Sequence, residues 1–152
     1  MKHNSVNQIK LELESRSVNE SFARAVVAAF AAQLDPTVEE LSDIKTAVSE
    51  AVTNCIVHAY PNNCGRVWIT VIIHDSGLVR IRVRDKGCGI PDITKAREPL
   101  FTTAGEERSG LGFAVMESFM DRVHVRSAVG VGTTVTLEKT IRGRSGGLND
   151  AG

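Results

Sequence analysis

The chain has 152 residues, with 18 Lys plus Arg against 18 Asp plus Glu and hence a formal charge of zero. That length suits one domain with one substantial core, and the even balance gives no argument for bulk binding to nucleic acid or membrane. No apolar h-region follows Met1, the longest purely apolar run (Ala25 to Ala32) falls far short of the ~20 residues that span a bilayer, and Cys55, Cys64 and Cys88 are odd in number without metal spacing, which fits reduced thiols in a cytosol.

Ile9, Leu11 and Leu13 alternate with Lys10, Glu12 and Glu14, predicting a half-buried strand. Ser17-Val-Asn-Glu20 has capping-box spacing, and Phe22, Val26 and Phe30 recur every four residues. Together they predict a helix from about Val18 to Leu34 with those three residues on its apolar stripe. Asp35-Pro36 ends it. A second capping box, Thr37-Val-Glu-Glu40, opens a longer helix whose stripe, Leu41, Ile44, Val48, Ala51, Val52 and Ile56, runs to about His58.

Pro61-Asn-Asn-Cys-Gly65 reads as a turn, Val67 to His74 as a strand, and Asp75-Ser-Gly77 as a hairpin turn. Val79, Ile81 and Val83 then alternate with Arg80, Arg82 and Arg84 up to Asp85, so one face of this strand is wet. Residues 86 to 110 are rich in Gly, Pro and Thr and aperiodic, as expected of a functional lid. Leu111 to Met120 is predicted helical, and Val123 to Ser127 with Thr133 to Lys139 forms a last hairpin. One domain is expected over residues 1–142, followed by a disordered tail at 143–152 with little to bury. Trp68 and the phenylalanines fit core positions, while His3, His58, His74 and His124 read as surface or helix-end residues rather than ligands.

This order predicts an α/β (α+β) two-layer sandwich, its sheet mixed but mostly antiparallel, with helices on one face. The alternating βαβ units of a doubly wound fold are missing, as are a P-loop and a G-x-G-x-x-G after the first strand.

Three short motifs carry chemistry. Glu50 and Asn54 stand four residues apart on one helix edge: a carboxylate that can take a proton and an amide oxygen that suits Mg2+, or equally an ordinary solvated pair. Asp85-x-Gly87-x-Gly89 follows a strand. A carboxylate there can accept a hydrogen bond from an exocyclic amine, and the glycines permit close approach; a simple turn reads as well. Gly110-Leu-Gly112 opens a helix, where free N–H groups favour phosphate or where a lid hinges. Arg108 just before it can clamp a phosphate or remain solvated, Thr102 and Thr103 are lid hydroxyls or turn formers, and Arg24 by itself is a surface charge.

Together, Glu50-x-x-x-Asn54, Asp85-x-Gly87-x-Gly89 and Gly110-x-Gly112 resemble the N, G1 and G2 boxes of the GHKL ATPase/kinase superfamily. Ser17 to Phe30, Gln33-Leu-Asp-Pro-Thr, Ser49-Glu-Ala-Val-Thr-Asn and Pro99-Leu-Phe-Thr-Thr are further similar to the sporulation anti-sigma F factors of endospore-forming bacteria, over about Gln8 to Ile141. The resemblance implies the Bergerat ATP-binding fold and a cytoplasmic homodimer. It implies that the ATP-bound dimer holds sporulation sigma factor F and phosphorylates a serine of an anti-anti-sigma factor. By motif position, Glu50 would be the catalytic base, Asn54 the Mg2+ ligand and Asp85 the reader of adenine, with Gly87 and Gly89 lining its pocket. Gly110 and Gly112 would hold phosphates with Thr103 and Arg108 nearby, Thr134 would give a further adenine-site hydroxyl, and Arg24 would dock both protein partners. Neither direct nucleic-acid binding nor a membrane is implied. A complete histidine kinase and a gyrase-like machine are not expected, since the sequence shows neither an upstream hairpin with an acceptor histidine nor a transducer domain. The alternatives are a non-catalytic, nucleotide-gated sigma-binding module and the related anti-sigma kinase of the general stress response. The Ile9–Leu13 strand is the candidate dimer edge.

Overall fold

The computed structural model describes residues 4–98 and 111–143. Its strands are β1 (Ser5–Glu14), β2 (Arg66–His74), β3 (Leu78–Asp85), β4 (Arg122–Ala128) and β5 (Gly132–Thr140). They form one sheet in the order β1-β2-β3-β5-β4, antiparallel at every pairing. The helices are α1 (Val18–Ala31, extended by a 3-10 turn at Ala32–Leu34), α2 (Val38–Asn54, continued by a π-turn at Cys55–Ala59), α3 (Ile93–Arg97) and α4 (Phe113–Phe119).

The period-2 pattern decides the layering. Ile69, Val71, Ile81, Val83, Val135 and Leu137 are all buried beneath α1, α2 and α4, while their sequence neighbours face the other way. The result is two layers with one core between them, and an outer sheet face that no described helix covers.

The two predicted capping boxes have different fates. At Thr37 both bonds form: the Glu40 N–H donates to Thr37 Oγ1 at 3.0 Å and the Thr37 N–H to Glu40 Oε1 at 2.9 Å. Glu40 also accepts the Arg142 and Gly143 N–H groups, which ties the segment after β5 to the start of α2. Burial pulls this carboxyl upward, but the backbone donors outweigh it and hold Glu40 below the usual carboxylate range. At Ser17 no cap bond forms, because the residue already has helical dihedrals. Glu20 instead accepts the Ser49 hydroxyl at 2.6 Å and pairs with Arg24 at 3.7 Å.

The face of α1 also differs from expectation by one residue, or about 100°. Ala23, Val27 and Ala31 are fully buried, whereas Phe22 is 55% exposed and Val26 and Phe30 are only partly covered. Here α1 packs directly on α2, and alanines let two helices approach where phenylalanines would hold them apart. Trp68 likewise leaves the core for the outer face, where Arg84 and Lys86 lie 4.9 Å and 5.1 Å from its ring centroid. Among the described phenylalanines only Phe113 is fully buried. His74, expected at the surface, is buried: the start of β1 pairs over the end of β2, and the Asp75 N–H bonds the Asn4 carbonyl beside it. Residues 144–152 of the expected tail and 99–110 of the expected lid lie outside the described residues.

Candidate functional site

Two element ends meet on the helix side of the sheet. β3 runs inward-facing Val79, Ile81 and Val83 into Asp85, so the strand's own alternation carries a carboxylate below the helices. α2 buries Val48, Ala51 and Val52, and the same face arrives at Asn54 and Cys55. The π-turn at Cys55–Ala59 widens the helix there, a device often found at functional positions.

Asp85 is held from three directions. Its Oδ1 accepts the Gly87 N–H at 2.9 Å and the Thr133 N–H at 3.2 Å. The Cys55 thiol lies 3.5 Å from Asp85 Oδ2 and from the Ala51 carbonyl oxygen, to both of which it can donate. Burial lifts the Asp85 carboxyl above its ordinary range, with these donors opposing it. Burial first, and the Asp85 charge second, push the Cys55 thiol well up, so it stays protonated and remains a donor. The carboxylate is thus fixed through Oδ1, while Oδ2 has only a weak donor to share with a ligand amine.

Asn54 anchors the far side. Its amide nitrogen donates to the Leu111 carbonyl at 2.6 Å, which commits that nitrogen and makes the amide oxygen the atom able to serve a hard cation. Glu50, one turn earlier, closes against Gly112. A Cβ on Gly112 would stand 2.1 Å from Glu50 Oε1 and displace that carboxylate, and its φ of +67° is left-handed, so glycine is favoured there. Asn54, Cys55, Asp85, Gly89, Leu111 and Thr133 border one hollow between α2 and the sheet.

Of the residues expected from sequence, Asn54, Asp85 and Gly89 border the hollow, while Glu50 lies against Gly112. Gly87 supports rather than lines the hollow: its Cα packs on the π-turn, where a Cβ would meet the Ala59 carbonyl oxygen at 2.3 Å, and its N–H holds Asp85. Thr134 points to the outer face, opposite Arg84 and Arg126 in the ladder, and the buried hydroxyl at the hollow belongs to Thr133. One residue of strand register exchanges the two faces, which explains the correction. Thr103, Arg108 and Gly110 lie outside the described residues. Arg24 stands apart from the hollow, in a groove between α1 and α2 that Ala28, Leu41 and Lys45 also line. Cys55 and Thr133 were missed. Their signals were present: Cys55 falls one turn after Ala51 on the buried stripe, and Thr133 shares parity with Val135 and Leu137.

The arrangement offers a buried carboxylate at one end for a hydrogen-bond donor, and a carboxylate with an amide oxygen at the other for a proton and a cation. Among the described residues no helix is long and apolar enough to cross a membrane.

Comparison with known proteins gives concordant findings. Residues 12–139 match the histidine kinase-like ATPase domain family. The chain is similar to the anti-sigma F factor of Geobacillus kaustophilus, at 61% identity over 89% of this chain and 93% of that one. It is also similar to that of Caldanaerobacter subterraneus, at 58% identity over 89% and 94%. Among solved structures, the RsbU and RsbW domains of a Mycobacterium tuberculosis protein superpose with a TM-score of 0.65 at 20% identity, over 90% of this chain and 32% of that one. The histidine kinase domain of an Erythrobacter litoralis blue-light activated kinase gives 0.57 at 18% identity, over 87% and 64%. At these identities the two structures speak to the fold alone.

Proposed function

The chain belongs to the histidine kinase-like ATPase family, alongside the anti-sigma F factors, and on that premise we propose that it is an ATP-dependent protein-serine kinase that doubles as an anti-sigma factor. Its ATP-bound form, read as a homodimer in the cytoplasm, holds sporulation sigma factor F and phosphorylates a serine of the anti-anti-sigma factor that displaces it. The observation that carries this reading is the similarity to anti-sigma F factors across nearly the whole of both chains, with Asn54 and Asp85 buried where a nucleotide would need them.

In this reading the adenine amine donates to Asp85, whose other oxygen is occupied by Gly87 and Thr133. The phosphates would lie toward Glu50 and Gly112, and motif position assigns Gly110, Arg108 and Thr103 to them as well. Asn54 would hold Mg2+ through its amide oxygen, and the ion would offset charge on the phosphate oxygens. Glu50 takes the proton from the incoming serine hydroxyl. Phosphoryl transfer demands little covalent chemistry of the protein, so the residues act by positioning and charge. Arg24, far from the hollow, docks the protein partners. The reading assigns residues 1–142 to a single kinase domain, and β1, at one edge of the sheet, offers the dimer contact.

The test is the intact mass of the anti-anti-sigma partner after incubation with Mg-ATP and the chain. Wild type should add one phosphoryl group, mapped to serine. Glu50→Gln should keep nucleotide binding while losing roughly 10²–10⁴-fold in transfer. No addition by wild type, with ATP binding and sigma capture intact, would instead identify a nucleotide-gated binding module.

A further inference from the structure

The outer sheet face carries a pattern that the nucleotide site does not use. Arg80, Arg82 and Arg84 project from β3 and Arg122, His124 and Arg126 from β4, with β5 between them. The register aligns them in rows: Arg84, Thr134 and Arg126; Arg82, Thr136 and His124; Arg80, Glu138 and Arg122. Short threonines thus floor a trough between two basic ridges. Adjacent strands lie about 4.8 Å apart, so the ridges stand roughly 10 Å apart at their bases. A hollow of about 480 Å³ lies on this face at Arg122, His124, Thr136 and Glu138. Glu138 bonds Arg80 at 2.6 Å and closes one end. Arg82, Arg84, Arg122, His124 and Arg126 are exposed.

In a chain of zero formal charge this concentration is local and not a by-product of a basic composition. Like charges on one sheet face repel, and a bound anion relieves them. We propose that the trough is a docking surface for an extended acidic protein segment, whose carboxylates lie against the two ridges. Alternate residues of an extended segment are about 6.6–6.8 Å apart, the repeat of Arg80, Arg82 and Arg84 along β3. Guanidinium groups also pair carboxylates through two parallel N–H···O bonds.

Two other occupants fit less well. Single-stranded nucleic acid wants aromatic platforms for its bases. Among the described residues the trough has none, since Trp68 lies on β2 outside it with Arg84 and Lys86 already at its ring. A second copy laid on this face would bring a second set of arginines.

The test uses the full chain and fluorescence anisotropy with a labelled peptide of alternating Glu and Thr, beside a thymidine oligonucleotide of equal charge. The peptide should bind at low salt, weaken as salt rises, and bind more tightly than the oligonucleotide. Arg82→Glu combined with Arg126→Glu should reduce peptide affinity about tenfold or more, while ATP affinity, which reports an intact fold, stays unchanged. Absent peptide binding, or equal binding by the doubly reversed variant, overturns the proposal. Tighter oligonucleotide binding reassigns the face to nucleic acid, and dissociation of an assembly by the same variant reassigns it to a second copy.

Discussion

Thr133 and Thr134 are neighbours in sequence and lie on opposite sides of the sheet. The first has its N–H on Asp85 and its hydroxyl 2.7 Å from that of Ser127, closed in under the helices. The second lies in the open between Arg84 and Arg126. The same five strands thus present a tightly specified face and a permissive one. On the helix side Asp85 Oδ1, Asn54 Nδ2 and the Thr133 hydroxyl are each committed to a partner, and burial sharpens their electrostatics. On the open side water competes for every contact, and only the pattern of charges carries information.

The largest test of that contrast is Leu137→Ala, which should cost about 2–5 kcal/mol in chemical denaturation, because Leu137 is fully buried. Its neighbour Thr136 faces out, and Thr136→Ala should cost within about 0.5 kcal/mol. Similar losses from both would mean that the open face is covered.

Asp85→Asn should weaken ATP binding roughly 10–100-fold by calorimetry, the worth of a hydrogen bond to a charged group. Its effect on stability has the opposite sign. Burial raises the folded carboxyl above its unfolded value, so the folded state holds that proton more tightly. The side chain's contribution is therefore fully present below the ordinary Asp range and is lost as pH rises through the raised value. The variant should melt above wild type near neutral pH, and the gap should close toward about pH 4. A gap that widens on acidification would mean that Asp85 is stabilised as the anion.

Thr133→Val removes the link to Ser127, whose hydroxyl also accepts the Ile90 N–H, and should lower ATP affinity by roughly 1 kcal/mol. Thr134→Val should leave it unchanged; the reverse outcome would restore Thr134 to the adenine site. Arg82→Ala, also on the open face, should likewise shift stability by no more than about 0.5 kcal/mol.

Much of the fold was legible because alternation and capping chemistry are local. Val79 to Asp85 announces a strand with one wet face, and Thr37 with Glu40 announces the start of α2. The motif residues on α2 and β3 were legible because helix and strand periods place Glu50 with Asn54 and bury Asp85. What was not legible depends on packing. Nothing in the order Phe22, Val26, Phe30 reveals that α1 meets α2 through alanines. The choice between Thr133 and Thr134 rests on a register fixed only when β5 pairs with β3. Cys55 gains its meaning from a residue 30 positions away.

The place of β5 also bears on how the protein comes into being. β5 is the last strand of the sheet to be synthesised, yet it inserts between β3 and β4. Asp85 must therefore wait for the N–H of Thr133, 48 residues later in the chain. At about 5–20 residues per second of synthesis, that gap lasts roughly 2–10 seconds. When it opens, the growing polypeptide has α1, α2 and the β2–β3 hairpin, but neither α4 nor the Thr133 N–H that holds Asp85. A ligand that needs Asp85 fully held could stabilise only the completed product, which leaves the half-made sheet, with the free edge of β3, as the stage most dependent on protection from aggregation.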